Sequence, residues 1–267
     1  MSDTVRSADG TTIAFDRAGE GPALVLVDGA IAHRAINPTS GAMAGLLASR
    51  YEVVRYDRRG RGGSGDTLPF AKEREIEDLA AVIDAAGGEA FVLGGSSGSM
   101  LALDAAAAGL AIPRLAVYEP PFIVDDSRPP LPDDYVEHLN ELTAEGRNGD
   151  AAAYFFTAAM LMPEQAVDGM RQGPFWAELE KIAPTIAYDG TFVADTMSGR
   201  PLDPARWAGV TVPVLVIDGG ASDTFMHTGA DALAAVLPNA QRRTLPGQTH
   251  DVAPDAIAPV LAGFFAG

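Results

Sequence analysis

Cysteine is absent from the 267 residues of this sequence. Disulfide bonds, a thiol nucleophile and thiolate-bound metal sites are therefore excluded. Histidine is scarce as well, with four residues, and no two of them have a metal-ligand spacing such as HExxH. We therefore expect no zinc site.

Positively charged residues are also few. Lysine and arginine number 19 against 36 aspartates and glutamates, which gives a formal net charge of −17. Such a surface repels phosphate backbones and anionic lipid, so we expect neither nucleic acid nor a membrane as a partner. The acidity by itself is typical of a protein that must remain in solution.

Long apolar runs are missing too. No stretch approaches the roughly 18 apolar residues of a membrane span, and the polar start, residues 1–10, lacks the apolar core of a signal peptide. We therefore predict a cytoplasmic protein. The length suits one large domain or one domain with an inserted lobe.

Short apolar runs alternate with helical patterns, which is typical of βαβ units and a mostly parallel sheet. The predicted strands are 11–17, 23–27, 51–56, 91–93, 115–118, 214–217 and 241–245. The predicted helices are 72–86, 99–108, 231–237 and 255–265.

Residues 125–205 break this alternation, because they contain no clear strand and many prolines, glycines and acidic residues. We predict a helical cap there, inserted into an α/β core formed by 1–124 and 206–267. Its aromatic residues Phe155, Phe156 and Trp176 either line a substrate pocket or pack the cap on the core.

The strongest chemical signal is G-x-S-x-G, at Gly94-Gly95-Ser96-Ser97-Gly98. A nucleophile on a sharp strand-to-helix turn needs small neighbours, and the helix that follows favours developing negative charge. We predict that Ser96 is the nucleophile. A shifted frame with Ser97 as nucleophile is the alternative, and it puts Ser99 where glycine is expected.

A serine hydroxyl needs a base, and the best candidate is His250, which follows the last predicted strand. A carboxylate should orient its ring. Asp223, on the loop after 214–217, is the first choice, and Glu119, at the end of 115–118, is the rival. Asp218 is interpreted as a cap of its turn.

Acyl transfer also needs N–H groups aimed at the oxyanion. We assign these to the amides of Ser97 and Ala30. Asp28 is unusual here, because its charge would oppose the oxyanion. Three hypotheses remain open: it pairs with a neighbour such as His33 or Arg34, burial keeps it neutral, or it acts on the substrate.

The glycine- and arginine-rich segment 56–65 could be read as an anion-binding loop. We favour a turn whose charges pair locally.

Together these motifs resemble the α/β-hydrolase superfamily, in its capped esterase, haloperoxidase-like and C–C hydrolase branch. The pattern D-x-R-G-x-G-x-S matches 57–64, the elbow matches 94–99, and the aspartate and histidine of the family match Asp223 and His250. The resemblance implies an eight-stranded, mostly parallel sheet, a helical cap and no cofactor. Two departures are Asp28, where histidine is usual, and Gly95 before the nucleophile.

We therefore expect a serine hydrolase that acts on a small-molecule ester or related acyl substrate. The same fold could instead carry out C–C bond hydrolysis, lactone or cyclisation chemistry, or perhydrolysis. A non-catalytic receptor that binds a small molecule under the cap is the third hypothesis. The oligomeric state stays open.

Overall fold

One eight-stranded sheet forms the centre of the protein in the computed structural model, which describes residues 2–267. The strands are β1 Asp3–Arg6, β2 Thr12–Ala18, β3 Ala23–Val27, β4 Glu52–Tyr56, β5 Phe91–Gly95, β6 Leu115–Tyr118, β7 Val214–Gly219 and β8 Ala240–Leu245. Their order is β1-β2-β4-β3-β5-β6-β7-β8. Only the pairs β1–β2 and β2–β4 are antiparallel. The predicted eight-stranded, mostly parallel sheet is confirmed.

Helices cover both faces of this sheet. They are α1 Pro38–Leu47, α2 Lys72–Ala85, α3 Ser97–Ala107, α9 Thr224–Val236 and α10 Pro254–Phe265. Strand β3 shows why its sequence is apolar throughout: Val25 and Val27 belong to one buried cluster, and Leu24 and Leu26 belong to the other. Strands buried on both faces leave function to the loops at their ends.

Only helices and turns connect β6 to β7, apart from one isolated bridge between Ile123 and Met197. We call residues 119–213 the cap segment. It contains α4 Tyr135–Ala144, α5 Asn148–Tyr154, a π-helical turn Phe155–Ala159, α6 Glu164–Arg171, α7 Trp176–Ile182, a 3₁₀ turn Ala183–Thr185 and α8 Ile186–Val193. The division of the chain at residues 125 and 205 stays a prediction.

Two elements have no counterpart among the predicted ones. Strand β1 is a largely exposed edge strand, so it has no apolar run to mark it. Helix α1 begins with Pro38, and the Asn37 side chain accepts a hydrogen bond from Ser40 N at 3.1 Å. Within residues 2–267, no helix is both long enough and apolar enough to cross a membrane.

Candidate active site

Ser96 occupies the sharp turn between β5 and α3. Its backbone has φ 52° and ψ −128°, a region that non-glycine residues rarely adopt. The glycines at both sides are sterically required. A Cβ on Gly94 would lie 2.6 Å from Ser99 Cα, and one on Gly98 would lie 2.4 Å from Val27 O. The motif thus places a strained, partly exposed serine at the N-terminus of α3.

The neighbouring serines have other partners. The Ser97 hydroxyl donates to Asp189 Oδ1 at 2.7 Å, and this residue is buried. The Ser99 hydroxyl is fully buried and donates to the Gly94 carbonyl at 2.8 Å. This geometry favours Ser96 over the shifted frame with Ser97 as nucleophile.

His250 is paired with Glu119. The two atoms His250 Nδ1 and Glu119 Oε2 are 2.8 Å apart. Because a carboxylate accepts, Nδ1 carries the proton and Nε2 is left as the basic nitrogen. Glu119 is fully buried, and its other oxygen accepts hydrogen bonds from Gly219 N at 2.7 Å and from the Ser222 hydroxyl. The carboxylate is therefore held in one orientation.

The preference for Asp223 as partner of the histidine does not agree with this contact. Asp223 lies at the N-cap position of α9 and is exposed, and no hydrogen bond joins it to His250. Sheet order explains the difference. Strand β6, which ends just before Glu119, is adjacent to β5, the strand that precedes Ser96, whereas β7 is one position farther away. A positive φ of 46° at Glu119 turns the chain there.

Asp218 also has a different role from the expected turn cap. Both of its oxygens accept hydrogen bonds from Arg242 at 2.6 Å, and His227 contacts one of them. The residue is fully buried, so its ion pairs tie the end of β7 to β8 and α9.

The loop after β3 lies against Ser96. A Cβ on Gly29 would be 2.9 Å from Ser96 Cβ, so only glycine permits this approach. Ala30 follows it, and Ile31 has a positive φ of 51°, which is unusual for a β-branched residue. As the first residue of α3, Ser97 has an amide without an intrahelical acceptor. Both predicted oxyanion donors thus belong to segments that meet at Ser96.

Two cavities meet at Ser96, with volumes of about 280 Å³ and 520 Å³. Both are lined by Ala30, Ser96, Phe155, Met160, His250 and Asp251. Ser96 and His250 therefore face the same space, although no hydrogen bond joins their side chains within residues 2–267. Such contacts are often long without substrate and tighten when it binds.

The predicted pocket residues divide between these cavities. Glu119 lines the smaller one, and Asp28, Gly95 and Phe156 line the larger one. Trp176 lines neither. It is buried inside the cap segment, where its ring centroid lies 6.4 Å from that of Phe156. Trp176 therefore packs within the cap segment, and the prediction that it lines the substrate pocket is wrong.

Asp28 has a partner that the sequence did not indicate. The Asn37 amide donates to Asp28 Oδ1 at 3.0 Å, whereas Arg34 pairs with Asp57 at 2.9 Å. The expected pairing with His33 or Arg34 is therefore wrong. Burial raises the pKa of Asp28 from 3.8 to about 6. This carboxyl can be charged or neutral within a physiological range of pH.

This shift predicts a pH-dependent effect of Asp28→Asn on stability. Between about pH 4 and about pH 6 the folded protein binds the proton of Asp28 more tightly than the unfolded chain does. The stabilising contribution of this proton is complete below that range and is lost as the pH rises through it. Urea unfolding should therefore show Asp28→Asn gaining stability relative to wild type from pH 4 to 7. A constant difference across that range would contradict the shift.

The arginines of segment 56–65 form a buried network rather than local pairs. Arg58 donates to Glu75 on α2 at 2.6 and 2.7 Å and to Asp189 on α8 at 2.5 Å. Arg61 donates to Asp189 and to the Gly29 carbonyl, the latter at 2.8 Å. Burial opposes ionisation of Asp189, but these two guanidinium groups hold its pKa below the ordinary value. The network joins the cap segment to the loop after β3.

Asp189→Asn should destabilise the protein strongly, because it leaves two buried arginines without their shared counter-charge. Breaking one side of a buried pair costs about 3 to 5 kcal/mol. Asp150→Asn is the matched control, since Asp150 pairs with Arg147 and Arg171 at the surface of the same segment. Its cost should be below about 1 kcal/mol. Equal unfolding free energies for the two variants in urea titrations would show that the network does not stabilise the fold.

No described group is arranged as a metal centre. Within residues 2–267, no three histidine, aspartate or glutamate side chains cluster in a way that could hold an ion. The cavities are lined by a hydroxyl, an imidazole, carboxyl groups and backbone amides, together with the guanidinium of Arg128.

Comparison with known proteins agrees with this architecture. The profile described as "Alpha/beta hydrolase family" matches residues 32–262. An alpha/beta hydrolase from Sphaerobacter thermophilus is 55% identical, with a TM-score of 0.89 over 98% of this chain and 100% of that chain. No curated protein has a matching sequence.

More distant structures share the fold. A thermophilic esterase from Thermogutta terrifontis is 19% identical, with a TM-score of 0.72 over 100% of this chain and 98% of that chain. A 2-hydroxy-6-oxo-6-phenylhexa-2,4-dienoate hydrolase from Rhodococcus sp. strain RHA1 is 18% identical, with a TM-score of 0.69 over 100% of both chains. Taken with the family profile and the Sphaerobacter structure, the chain belongs to the alpha/beta hydrolase family.

Proposed function

We propose that this protein is a serine hydrolase that cleaves a carboxylic ester or a related acyl substrate. The observation that carries the proposal is the contact of His250 with the buried Glu119, at the cavity where Ser96 occupies a strained turn. A histidine that is held by a carboxylate and faces the same space as a partly exposed serine is the arrangement that nucleophilic acyl transfer requires. The esterase from Thermogutta terrifontis shows that the shared fold can support this chemistry.

The reaction would proceed in two balanced stages. His250 Nε2 takes the proton of Ser96 as its oxygen attacks the carbonyl carbon, and the amides of Ala30 and Ser97 stabilise the oxyanion. Collapse of this intermediate breaks the ester C–O bond, and the imidazolium returns the proton to the leaving alcohol. Water, deprotonated by His250, then attacks the acyl carbon, the bond between this carbon and Ser96 Oγ breaks, and the imidazolium returns the proton to Ser96 as the acid leaves. Glu119 keeps the ring oriented throughout.

A series of 4-nitrophenyl esters with increasing acyl length tests this activity. The smaller cavity has apolar walls at Phe155, Val193, Met197 and Phe225, but its volume of about 280 Å³ is modest. We therefore expect kcat/KM to rise from acetate to a medium acyl chain and then to fall. Hydrolysis of none of the esters would contradict the proposal. A clear preference for acetate would argue against an apolar acyl pocket.

Asp28 supports a second candidate, namely hydrolysis of a C–C bond by the same serine and histidine. A carboxyl whose pKa is raised to about 6 beside the nucleophile could deliver a proton to carbon. Asp28→Asn should then abolish that reaction while leaving the hydrolysis of 4-nitrophenyl esters intact. An equal loss of both reactions would exclude a separate role for Asp28.

A further inference from the structure

Arg128 lines the smaller cavity, and none of the described residues 2–267 forms an ion pair with it. It follows β6 at the start of the cap segment and lines the same space as Ser96 and His250. Its guanidinium carbon is 4.3 Å from the centroid of the Phe225 ring, and one of its terminal nitrogens donates to the Ala159 carbonyl. Its Nε atom is buried and has no hydrogen-bond partner in residues 2–267.

The other arginines near the site are all neutralised. Arg58, Arg59 and Arg61 each pair with buried carboxylates. Within residues 2–267, no carboxylate forms an ion pair with Arg128. Burial lowers its pKa, and the more distant charge of Asp223 only partly offsets this. A partly desolvated cation without a partner is costly, which is unexpected unless a ligand supplies the missing anion.

The remaining charges of this cavity limit what that anion can be. Arg128 is the only lysine or arginine in its described lining. Two acidic residues there are already engaged, Glu119 by His250 and Asp189 by Arg58. Asp223 and Asp251 are exposed, and they would repel a doubly charged group such as a phosphate monoester. One guanidinium therefore suits a single negative charge, and its planar donors match a carboxylate.

We propose that Arg128 binds a carboxylate of the substrate, so that the protein acts on acyl compounds that carry a second, anionic carboxyl group. This inference rests on the proposed function for its reaction, but the anion site itself does not require catalysis. The apolar walls would accommodate the short chain between the scissile carbonyl and the carboxylate. The Phe225 ring would stack against the guanidinium and help to fix its position.

Matched pairs of esters test the proposal. The 4-nitrophenyl monoester of glutarate is compared with 4-nitrophenyl pentanoate, and 4-acetoxybenzoate is compared with phenyl acetate. The first pair tests a carboxylate on the acyl side of the ester, and the second pair tests one on the alcohol side. In wild type we expect a preference for the anionic member of one pair. Arg128→Met should lower this preference by roughly 10- to 100-fold, the value of a hydrogen bond to a charged group, because kcat/KM falls further for the anionic ester than for the neutral one.

Two further variants serve as controls. Arg128→Lys keeps the charge and should retain part of the preference, whereas Arg171→Met should retain all of it. Arg171 is a suitable match because it also contacts an aromatic ring of the cap segment, with 5.3 Å to the Trp176 centroid, but lies outside the cavity. No preference in either pair, or an equal loss for both members in Arg128→Met, would overturn the proposal.

Binding to a catalytically silent protein separates this inference from the proposed function. Calorimetric titration of Ser96→Ala with monomethyl glutarate, which carries a single negative charge, should show binding that is lost in Ser96→Ala/Arg128→Met. Binding of monomethyl glutarate that is unaffected by Arg128→Met would overturn the anion site, whether or not esters are hydrolysed. Arg128-dependent binding in a protein that hydrolyses no ester would uphold the site and refute the hydrolase.

Discussion

Glu119→Gln should lower ester turnover by roughly 10⁴-fold, the effect expected when a catalytic imidazole loses the carboxylate that sets its tautomer and orientation. The reason is the 2.8 Å contact between Glu119 Oε2 and His250 Nδ1. Glutamine has nearly the same shape, and its carbonyl oxygen can still accept from Gly219 N. The loss should therefore appear in kcat, measured with a 4-nitrophenyl ester, and not as unfolding.

Asp223→Asn is the matched control, because Asp223 lines the same cavity and also follows a strand end. Its turnover should stay within several-fold of wild type, since Asp223 makes no hydrogen bond to His250. If Asp223→Asn lost its ester turnover and Glu119→Gln kept it, Asp223 would be the residue that orients His250. Urea titrations of both variants should accompany the rates, because Glu119 is fully buried.

Ser96→Ala should reduce turnover on the order of a million-fold, leaving only the contribution of binding and the oxyanion donors. Its stability should change little, because the hydroxyl is partly exposed and little buried volume is lost. Steady-state hydrolysis of a 4-nitrophenyl ester measures this change.

Ser97→Ala should behave in the opposite way. It removes one hydrogen bond to the buried Asp189 carboxylate, which still accepts from Arg58, and should lower the free energy of unfolding by about 1.5 to 3 kcal/mol, the value of a hydrogen bond to a charged group. Turnover should persist, because the backbone amide of residue 97 remains. Loss of activity in Ser97→Ala together with an active Ser96→Ala would contradict the assigned frame of the motif.

Local patterns were sufficient to predict most of the fold. Runs such as Ala23–Val27 are apolar because both sheet faces are covered, and the glycines beside Ser96 are required by close backbone contacts. These signals lie within a few residues of the feature they predict. Strand β1 was not predicted, because an exposed edge strand has no apolar run to mark it.

Contacts between side chains that are far apart in the sequence could not be predicted from local patterns. Glu119 and Asp223 both follow strand ends, and only the sheet order shows which of them reaches His250. Likewise, the partner of Arg61 is Asp189, which lies 128 residues farther along the chain. Residue type indicates that a buried charge needs a partner, but the choice of partner depends on tertiary packing.

The most direct test of the account is the site of covalent modification during turnover. The wild-type protein should be mixed with a 4-nitrophenyl ester and quenched in acid within the first turnovers, and its peptides should then be analysed by mass spectrometry. We predict an acyl group on Ser96, absent from Ser96→Ala and present in Ser97→Ala. Acylation at Ser97 or another residue would contradict the central claim, as would rapid ester hydrolysis by Ser96→Ala.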